Sequence, residues 1–506
     1  MLRVLGGPKR LCDGITRRDL LHAGALSVLG FRAAEWLPHG RAAAAGVDQP
    51  RFGQARACIL LYLYGAPSQL ETFDPKPDAP SEIRGELGTI PTVLPGIRFG
   101  EGLPRLARVA DRLTVLRTVH HEYPIHGVAF ATTGIPQMEL AMELAPRDPR
   151  HWPYVGSVVD YLDERRGGGA TREIPGNLML PWAFSTQRVG EVPRAGPYGG
   201  FLGSTYDPVA THFIGKGTRP ARKTLQQMVW EEPEPYRGIT PESRFQLSAV
   251  DDGAVSGVTL DRLDRRRTLL EQFERSRPWI ERAVESPAEG ASLAAAHRHR
   301  ALAYALLHSD RLRKAFDLDA EPLPTRERYG MTLFGQAALT ARRLVEAGGR
   351  FVSVFWDEYG LAGTGWDTHW DHYERMRNEL LPGLDQTLSA LILDLDQRGM
   401  LEETLVLVLS EHGRTPRITP GQGGGRDHWS RCYSVVMAGG GVARGRVIGR
   451  SDSIASDPVE RPISPKDILA TSYHLLGIDP ETELRDRQGR PLSLVPTGSV
   501  LHDALG

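Results

Sequence analysis

Cysteine is scarce: Cys12, Cys58 and Cys432 are the three in 506 residues, too few and too far apart for a disulfide framework. Cys58 and Cys432 fall inside apolar runs, where buried thiols are the expectation. Neither sign of charge is in surplus, since 61 Lys and Arg meet 62 Asp and Glu for a net charge of −1. That balance excludes a general electrostatic attraction to nucleic acid or to an anionic membrane. No apolar stretch approaches the roughly 20 residues that span a bilayer, so no membrane span is expected in the mature chain. Internal repeats and clean linkers are also missing, which favours one elaborated domain. What is present in quantity is 41% hydrophobic and 24% charged residues, the composition of a folded globular protein. With 55 Gly and 37 Pro, many loops should separate its regular elements.

The first 46 residues read differently from the rest. Arg17 and Arg18 precede a short apolar segment in T-R-R-D-L-L-H-A-G-A-L-S-V-L-G-F, and A-A-A-A-G follows at 42–46. Paired arginines, a modest apolar run and small residues in that order resemble a twin-arginine export signal. Residues 1–46 are therefore expected to be a leader, residues 47–506 a single α/β domain, and the destination periplasmic or extracellular.

Five apolar runs read as strands: 57–64 (A-C-I-L-L-Y-L-Y), 113–119, 351–356 (F-V-S-V-F-W), 404–410 (T-L-V-L-V-L-S) and 433–438. Unbroken apolarity predicts strands buried on both faces of a mostly parallel sheet. The amphipathic stretch 380–399 lies between two of them and makes a β-α-β unit. Residues 260–350 read as mostly helical, with A-L-A-Y-A-L-L-H at 301–308. Residues 183–258, rich in Gly, Pro and turn signals, read as an irregular excursion, so that 183–350 forms a loop-rich and helical insertion or flank.

Ligands bind at the carboxyl ends of strands in such sheets. After the first strand come Gln69, Glu71 and Asp74; after the second, His120, His121 and His126. Asp357 and Glu358 follow the third, and then G-W-D-T-H-W-D-H-Y crowds Asp367, His369, Asp371 and His372 between Trp366, Trp370 and Tyr373. The fourth runs into Glu411, His412 and Arg414, then Arg426, Asp427 and His428. Carboxylate oxygen and imidazole nitrogen ligate divalent ions. One or two such ions could activate water and clamp a phosphoryl or sulfuryl group. Arg414 and Arg426 would suit a tetrahedral oxyanion, although Arg414 could equally pair with Glu411. The tryptophans could wall a site or simply pack. Glu71 and Asp74 could be turn residues, and His120 and His121 satisfied histidines.

The stretches G-A-P-S-Q-L-E-T-F-D-P-K-P, G-F-L-G-S-T-Y-D-P at 200–208, G-W-D-T-H, S-E-H-G-R-T-P and G-G-R-D-H-W resemble the bacterial family called domain of unknown function 1501. That family is placed in the alkaline phosphatase-like superfamily, with sulfatases and cofactor-independent phosphoglycerate mutases. The resemblance implies a sheet sandwiched by helices and a site for two divalent ions (zinc, manganese, calcium or magnesium) at the strand ends. It implies metal ligands at Asp367 with His369 or His372, at Glu411 with His412, and at His428. The stretch 464–478 resembles the helix that closes these folds. Two positions depart from the superfamily pattern. Tyr64 stands where an Asp usually ends the first strand, so Glu71 or Asp74 would substitute, with His121 as a further ligand. No Cys-x-Pro/Ala-x-Arg motif exists, which argues against a formylglycine nucleophile. His126, Thr132, Thr133 or a metal-activated water would act instead. The expectation is an exported hydrolase of phosphate or sulfate esters, on a small-molecule or polysaccharide substrate. The alternative is a non-catalytic extracytoplasmic binding protein on the same fold.

Overall fold

A computed structural model describes residues 50–123, 126–135, 145–146, 148–167, 173–188, 194–225, 228–247, 309–361, 364–421 and 423–506. The leader-like residues 1–46 and residues 248–308, which include most of the stretch that the sequence reads as helical, lie outside the described residues.

Nine strands build the main sheet: β1 (Ala57–Leu63), β2 (Thr114–Val119), β3 (Asn177–Leu180), β4 (Val209–Ile214), β5 (Arg244–Leu247), β6 (Phe351–Trp356), β7 (Thr404–Leu409), β8 (Tyr433–Ala438) and β9 (Arg446–Ile448). Their spatial order is β9-β2-β8-β7-β1-β6-β3-β4-β5. β7, β1, β6, β3 and β4 pair in parallel, with Leu63 opposite Trp356 and Tyr62 opposite Leu409. β8 runs antiparallel to both neighbours, and β5 is antiparallel at the other edge. The sheet is α/β and mostly parallel, as the unbroken apolar runs predict.

The pleat of β1 explains its composition. Ile59, Leu61 and Leu63 enter one apolar layer with Val352, Val354, Val406 and Val408. That layer packs on helices α3 (Leu333–Glu346) and α4 (Leu381–Gln397). Cys58, Leu60 and Tyr62 enter the opposite layer, against α1 (Val128–Thr133), α2 (Val155–Arg165) and α5 (Pro465–Leu475). A strand covered on both faces has no solvent side, so alternation is lost and the run is continuous. Helix α5 begins with a capping box between Ser464 and Asp467, which satisfies backbone donors that the first turn cannot. Arg51–Gly506 forms one compact unit.

The structure departs from the sequence reading of an irregular excursion within the described part of 209–247. β4 and β5 extend the main sheet there, and Gly217–Leu225 pairs with Met228–Ile239 as a two-stranded ribbon. Arg219 lies opposite Glu234 and Arg222 opposite Glu231. A ribbon satisfies its backbone by pairing, whatever its side chains, so it carries no apolar signature. Among the described residues no helix is long and apolar enough to cross a membrane.

Candidate metal centre

Because β1, β6 and β7 are parallel and in register, the loops that follow them open on the same edge. Two close backbone approaches press those loops together. Gly65, with φ of +99°, sits where a Cβ would lie 2.3 Å from the Asp367 nitrogen. A Cβ on Gly425 would lie 1.9 Å from the His369 carbonyl oxygen. Only glycine permits either contact. Trp366 N–H donates to the Tyr64 carbonyl at 2.9 Å, and Gly65 N–H donates to Glu411 Oε1 at 2.8 Å. A short antiparallel pairing of Gly413 with Trp429 and Arg414 with His428 returns His428 to the end of β7.

Two sets of side chains converge there. His126, Asp367, His369 and His428 each offer a ligand atom, all within 4.8 Å of one another. His126, Glu411 and His412 form a second set within the same limit, so His126 belongs to both. Nε2 of His369 lies 3.1 Å from Nε2 of His428 and 3.0 Å from Asp367 Oδ1. His428 Nε2 is 3.5 Å from the same oxygen. His126 bridges the sets, with Nδ1 2.7 Å from Glu411 Oε1 and Nε2 3.3 Å from Asp367 Oδ2. The Nδ1 of His369 is fixed on Asp427 Oδ1 at 2.7 Å, and His412 Nδ1–H donates to the Gly413 carbonyl at 2.8 Å. Each bond holds its ring so that Nε2 faces the cluster. His412 Nε2 and Glu411 Oε2 are buried and have no hydrogen-bond partner among the described residues.

The 3.1 Å contact of His369 Nε2 with His428 Nε2 is a hydrogen bond in which one ring donates and the other accepts, and a cation could take the place of that proton. The side chains of His369 and His428 are 27% and 24% exposed, so the cluster opens to solvent on that side. Burial would raise the Asp367 carboxyl, but Arg414, His126, His369 and His428 hold it well below the usual carboxylate range. Burial opposes charge on His126 as well, yet contacts with Asp367 and Glu411 push it up to about 9. Burial, followed by the charges of His126 and Arg414, drives His412 well down, so it stays neutral as a ligand must.

Other residues singled out in the sequence lie elsewhere. Glu71, His372 and Arg426 form a neighbouring buried cluster: Arg426 Nη2 donates to Glu71 Oε1 at 2.6 Å, and His372 Nε2 stands 3.4 Å from Glu71 Oε2. Arg426 also donates to the carbonyls of Ile83, Thr415 and Pro416. Arg414 donates to Asp367 Oδ1 at 2.6 Å and to the carbonyls of Gly65, Ala66 and Arg426. Neither arginine is exposed. Both therefore depart from the expected role on an oxyanion, because their nitrogens are committed to the protein. Asp74 pairs with Ser451 and Lys76. His121 donates from Nε2 to the Glu411 carbonyl at 2.8 Å and accepts at Nδ1 from Tyr123 N–H, leaving no nitrogen for a metal. Thr132 and Thr133 hydroxyls bond back to carbonyls of their own helix, Val128 and Ala129. Thr132 sits at the C-terminal end of α1 rather than at a helix N-terminus, so the expected placement of a nucleophile is not found. Trp366 packs edge-on to Trp356 in the core, whereas Trp370 stacks beside His369. Cys58 and Cys432 are buried free thiols, the latter pushed up to about 12 by burial.

The sequence reading gave His126 only a catalytic role and Asp427 none. An aspartate directly before an expected histidine ligand is a signal for an orienting carboxylate, and Asp427 fits it.

Residues 55–505 match the family described as Protein of unknown function (DUF1501). No match is found among curated proteins. Solved structures similar to the chain include the phosphonate monoester hydrolase SpPMH from Silicibacter pomeroyi, at 10% identity and a TM-score of 0.32, covering 89% of this chain and 76% of that one. The PsFucS1 sulfatase from Pseudoalteromonas sp. is likewise 10% identical, with a TM-score of 0.34 and coverage of 85% and 69%. Ps i-CgsB in complex with k-i-k-neocarrahexaose is 10% identical, with a TM-score of 0.34 and coverage of 84% and 72%.

Proposed function

The chain belongs to the DUF1501 family, and we propose that it is an exported, metal-dependent hydrolase of phosphate or sulfate esters. One observation carries the reading: the Nε2 atoms of His369 and His428 face each other at 3.1 Å beside Asp367. The orphaned Glu411 Oε2 and His412 Nε2 repeat the theme in the second set. Asp367, His369 and His428 would hold one divalent cation, Glu411 and His412 a second, and His126 stands between them. Four imidazoles among the donors favour zinc over manganese, calcium or magnesium, which prefer oxygen ligands.

Divalent cations held there would supply Lewis-acid polarisation of the ester and lower the pKa of an attacking water. The chain's own part is to position. Asp427 fixes the His369 ring, Arg414 fixes Asp367, and the opening beside His369 and His428 admits the ester. The alkaline phosphatase-like architecture and the twin-arginine route to the periplasm or exterior, both implied by the sequence, complete the proposal.

A second reading is a non-catalytic binding protein for a polysaccharide or a protein complex. It is favoured by the Thr132 hydroxyl, which bonds into its own helix instead of facing the cluster. Elemental analysis of the purified chain beside Asp367→Ala and His428→Ala tests the metal centre. Bound metal in the parent and its loss in both variants is the expected result. A parent that holds no zinc, manganese, calcium or magnesium after refilling would sink the hydrolase. Bound metal without hydrolysis of phosphate, phosphonate or sulfate esters would favour the binding protein.

A further inference from the structure

The metal cluster opens to solvent beside His369 and His428, and one large side chain stands next to that opening with no packing task in the core. Trp370 is partly buried, and its ring lies 6.0 Å from the His369 ring and 27° from parallel to it. It belongs to none of the apolar core clusters, nor to the partly buried side chains packed on them. Its indole N–H has no hydrogen-bond partner among the described residues. Other tryptophans are accounted for. Trp356 and Trp366 are buried in the core, Trp182 donates to Asp357 Oδ2 at 2.9 Å, and Trp429 donates to the Ser456 carbonyl at 2.8 Å. An indole held outside the core offers a flat face of negative potential and a free donor at its edge.

Asp371, the next residue, is partly buried and sits in the left-handed region at φ of +49°. It is the N-cap of the short helix His372–Arg375, where an Asp side chain usually accepts from an N–H of the first turn. Here it makes no capping bond. The glycine-rich hairpin takes over part of that task. His372 N–H donates to the Gly424 carbonyl at 3.2 Å, and Tyr373 N–H donates to the Gly423 carbonyl at 3.3 Å. A Cβ on Gly423 would lie 2.7 Å from Asp371 Cα, so only glycine lets the two loops meet this way. The Asp371 carboxylate is left with no hydrogen bond or ion pair among the described residues.

We propose that Trp370 and Asp371 form a carbohydrate subsite at the mouth of the metal cluster, the indole stacking on a pyranose ring and the carboxylate accepting from its hydroxyls. A sugar ring carries C–H groups on a face and hydroxyls, each both donor and acceptor, at its edge. These match the negative face of an indole, its free N–H and a free carboxylate. A quaternary ammonium group fits less well: it is held by a cage of several aromatic rings and offers the indole N–H no acceptor. That the sugar carries a phosphate or sulfate ester rests on the function proposed above; the stacking of the ring does not.

Saturation-transfer NMR titration of the full chain, in excess chelator and again after zinc loading, tests the subsite. The probes are glucose 6-phosphate, galactose 6-sulfate and N-acetylglucosamine 6-sulfate, set against ethyl phosphate, ethyl sulfate and phosphocholine. At least one sugar ester should bind about tenfold more tightly than the ethyl ester of the same acid, with saturation on its ring C–H protons. Trp370→Ala should abolish that preference, Trp370→Phe should keep part of it, and Asp371→Ala should cut it about tenfold, the loss of a hydrogen bond to a charged group. Arg56→Gln, at a side chain that is 78% exposed and precedes β1, should leave it unchanged. No preference for any sugar ester, or a preference intact in Trp370→Ala or in Asp371→Ala, would overturn the subsite. Phosphocholine bound most tightly, and lost in Asp371→Ala, would overturn it in favour of a cation site. Sugar binding by a zinc-loaded chain that hydrolyses none of these esters would reject the hydrolase and keep the subsite.

Discussion

Two clusters built from the same residue types lie side by side at the strand ends, fed by the same two loops. His372 and Arg426 go to one, with Glu71; Asp367, His369 and His428 go to the other, with His126. In the first, opposite partners meet. Arg426 gives Glu71 Oε1 two N–H bonds, at 3.1 and 2.6 Å, while His372 Nε2 stands 3.4 Å from Glu71 Oε2 with no hydrogen bond between them. The Nδ1 of His372 is occupied by Thr368 Oγ1 at 2.8 Å. In the second, like atoms meet: Nε2 faces Nε2, and neighbouring Glu411 Oε2 and His412 Nε2 face no partner among the described residues. Buried charge by itself does not mark a site. A buried cluster closed by an arginine–carboxylate pair is a strut, whereas the partly exposed imidazoles of His369 and His428 beside Asp367 form a receptor that could hold a cation.

The sharpest way to break that comparison is to unpair the strut. Burial opposes ionisation of Glu71, but Arg426 and then His372 hold its carboxyl well below the usual range. Arg426→Met would leave that charge nearly alone, at a cost of about 3–5 kcal/mol in urea unfolding. The double variant Glu71→Met with Arg426→Met should recover much of the loss, because an apolar pair needs no partner. Metal bound per folded chain should not change in the double variant. Metal loss there, or a small cost in Arg426→Met, would mean that the strut and the receptor are one unit.

Much of the frame was legible in the sequence because burial on two faces writes itself as unbroken apolarity, as in 57–64, 351–356 and 404–410. Helix α4 was legible from its amphipathic period. The ribbon over 217–239 was not, since charges and prolines line strands whose only demand is backbone pairing. At the site, Asp367, His369, Glu411, His412 and His428 could be nominated as residue types at strand ends. Separating them from Glu71, His372 and His121 requires knowing which way a loop side chain points. Periodicity carries no such information in a loop, and Gly65 and Gly425 set those directions through contacts across more than fifty residues of chain or with other loops.

His121 sharpens the comparison at the level of a single ring. It sits on the Glu411 backbone with both nitrogens occupied, whereas adjacent His412 keeps Nε2 open. Burial pushes His121 down to about 4, from an ordinary value of 6.5. Below pH 6.5 the unfolded chain takes up a proton that the folded chain refuses, so stability is lost as pH falls from 6.5 towards 4. The full effect is about 3 kcal/mol at most. His121→Gln can keep part of the bonding without titrating. Urea unfolding from pH 7 to 4.5 should therefore show a flatter decline in the variant than in the parent. Identical slopes would mean that this ring is not held neutral.

The smallest effect tests how the receptor is held open. Asp427 is 55% exposed at its side chain, yet it carries three roles in the loop. Oδ1 accepts from His369 Nδ1 at 2.7 Å, Oδ2 accepts from the Thr419 hydroxyl at 3.0 Å, and its backbone exchanges bonds with Thr415. Asp427→Asn keeps the shape but removes the charge that makes Nδ1 the protonated nitrogen. The amide can also turn its NH2 towards the ring, which moves the proton to Nε2 and aims it at His428. Metal affinity should then fall about 10–100-fold, or about 1.4–2.7 kcal/mol, the usual effect of losing a carboxylate behind a histidine ligand. Unfolding of the chelated protein should hardly change, because an exposed ion pair contributes about 0–1 kcal/mol. Competition titration with a zinc-binding dye measures the first, and urea unfolding in chelator measures the second. A variant that loses stability but not affinity would make Asp427 another strut and move the line between the two clusters.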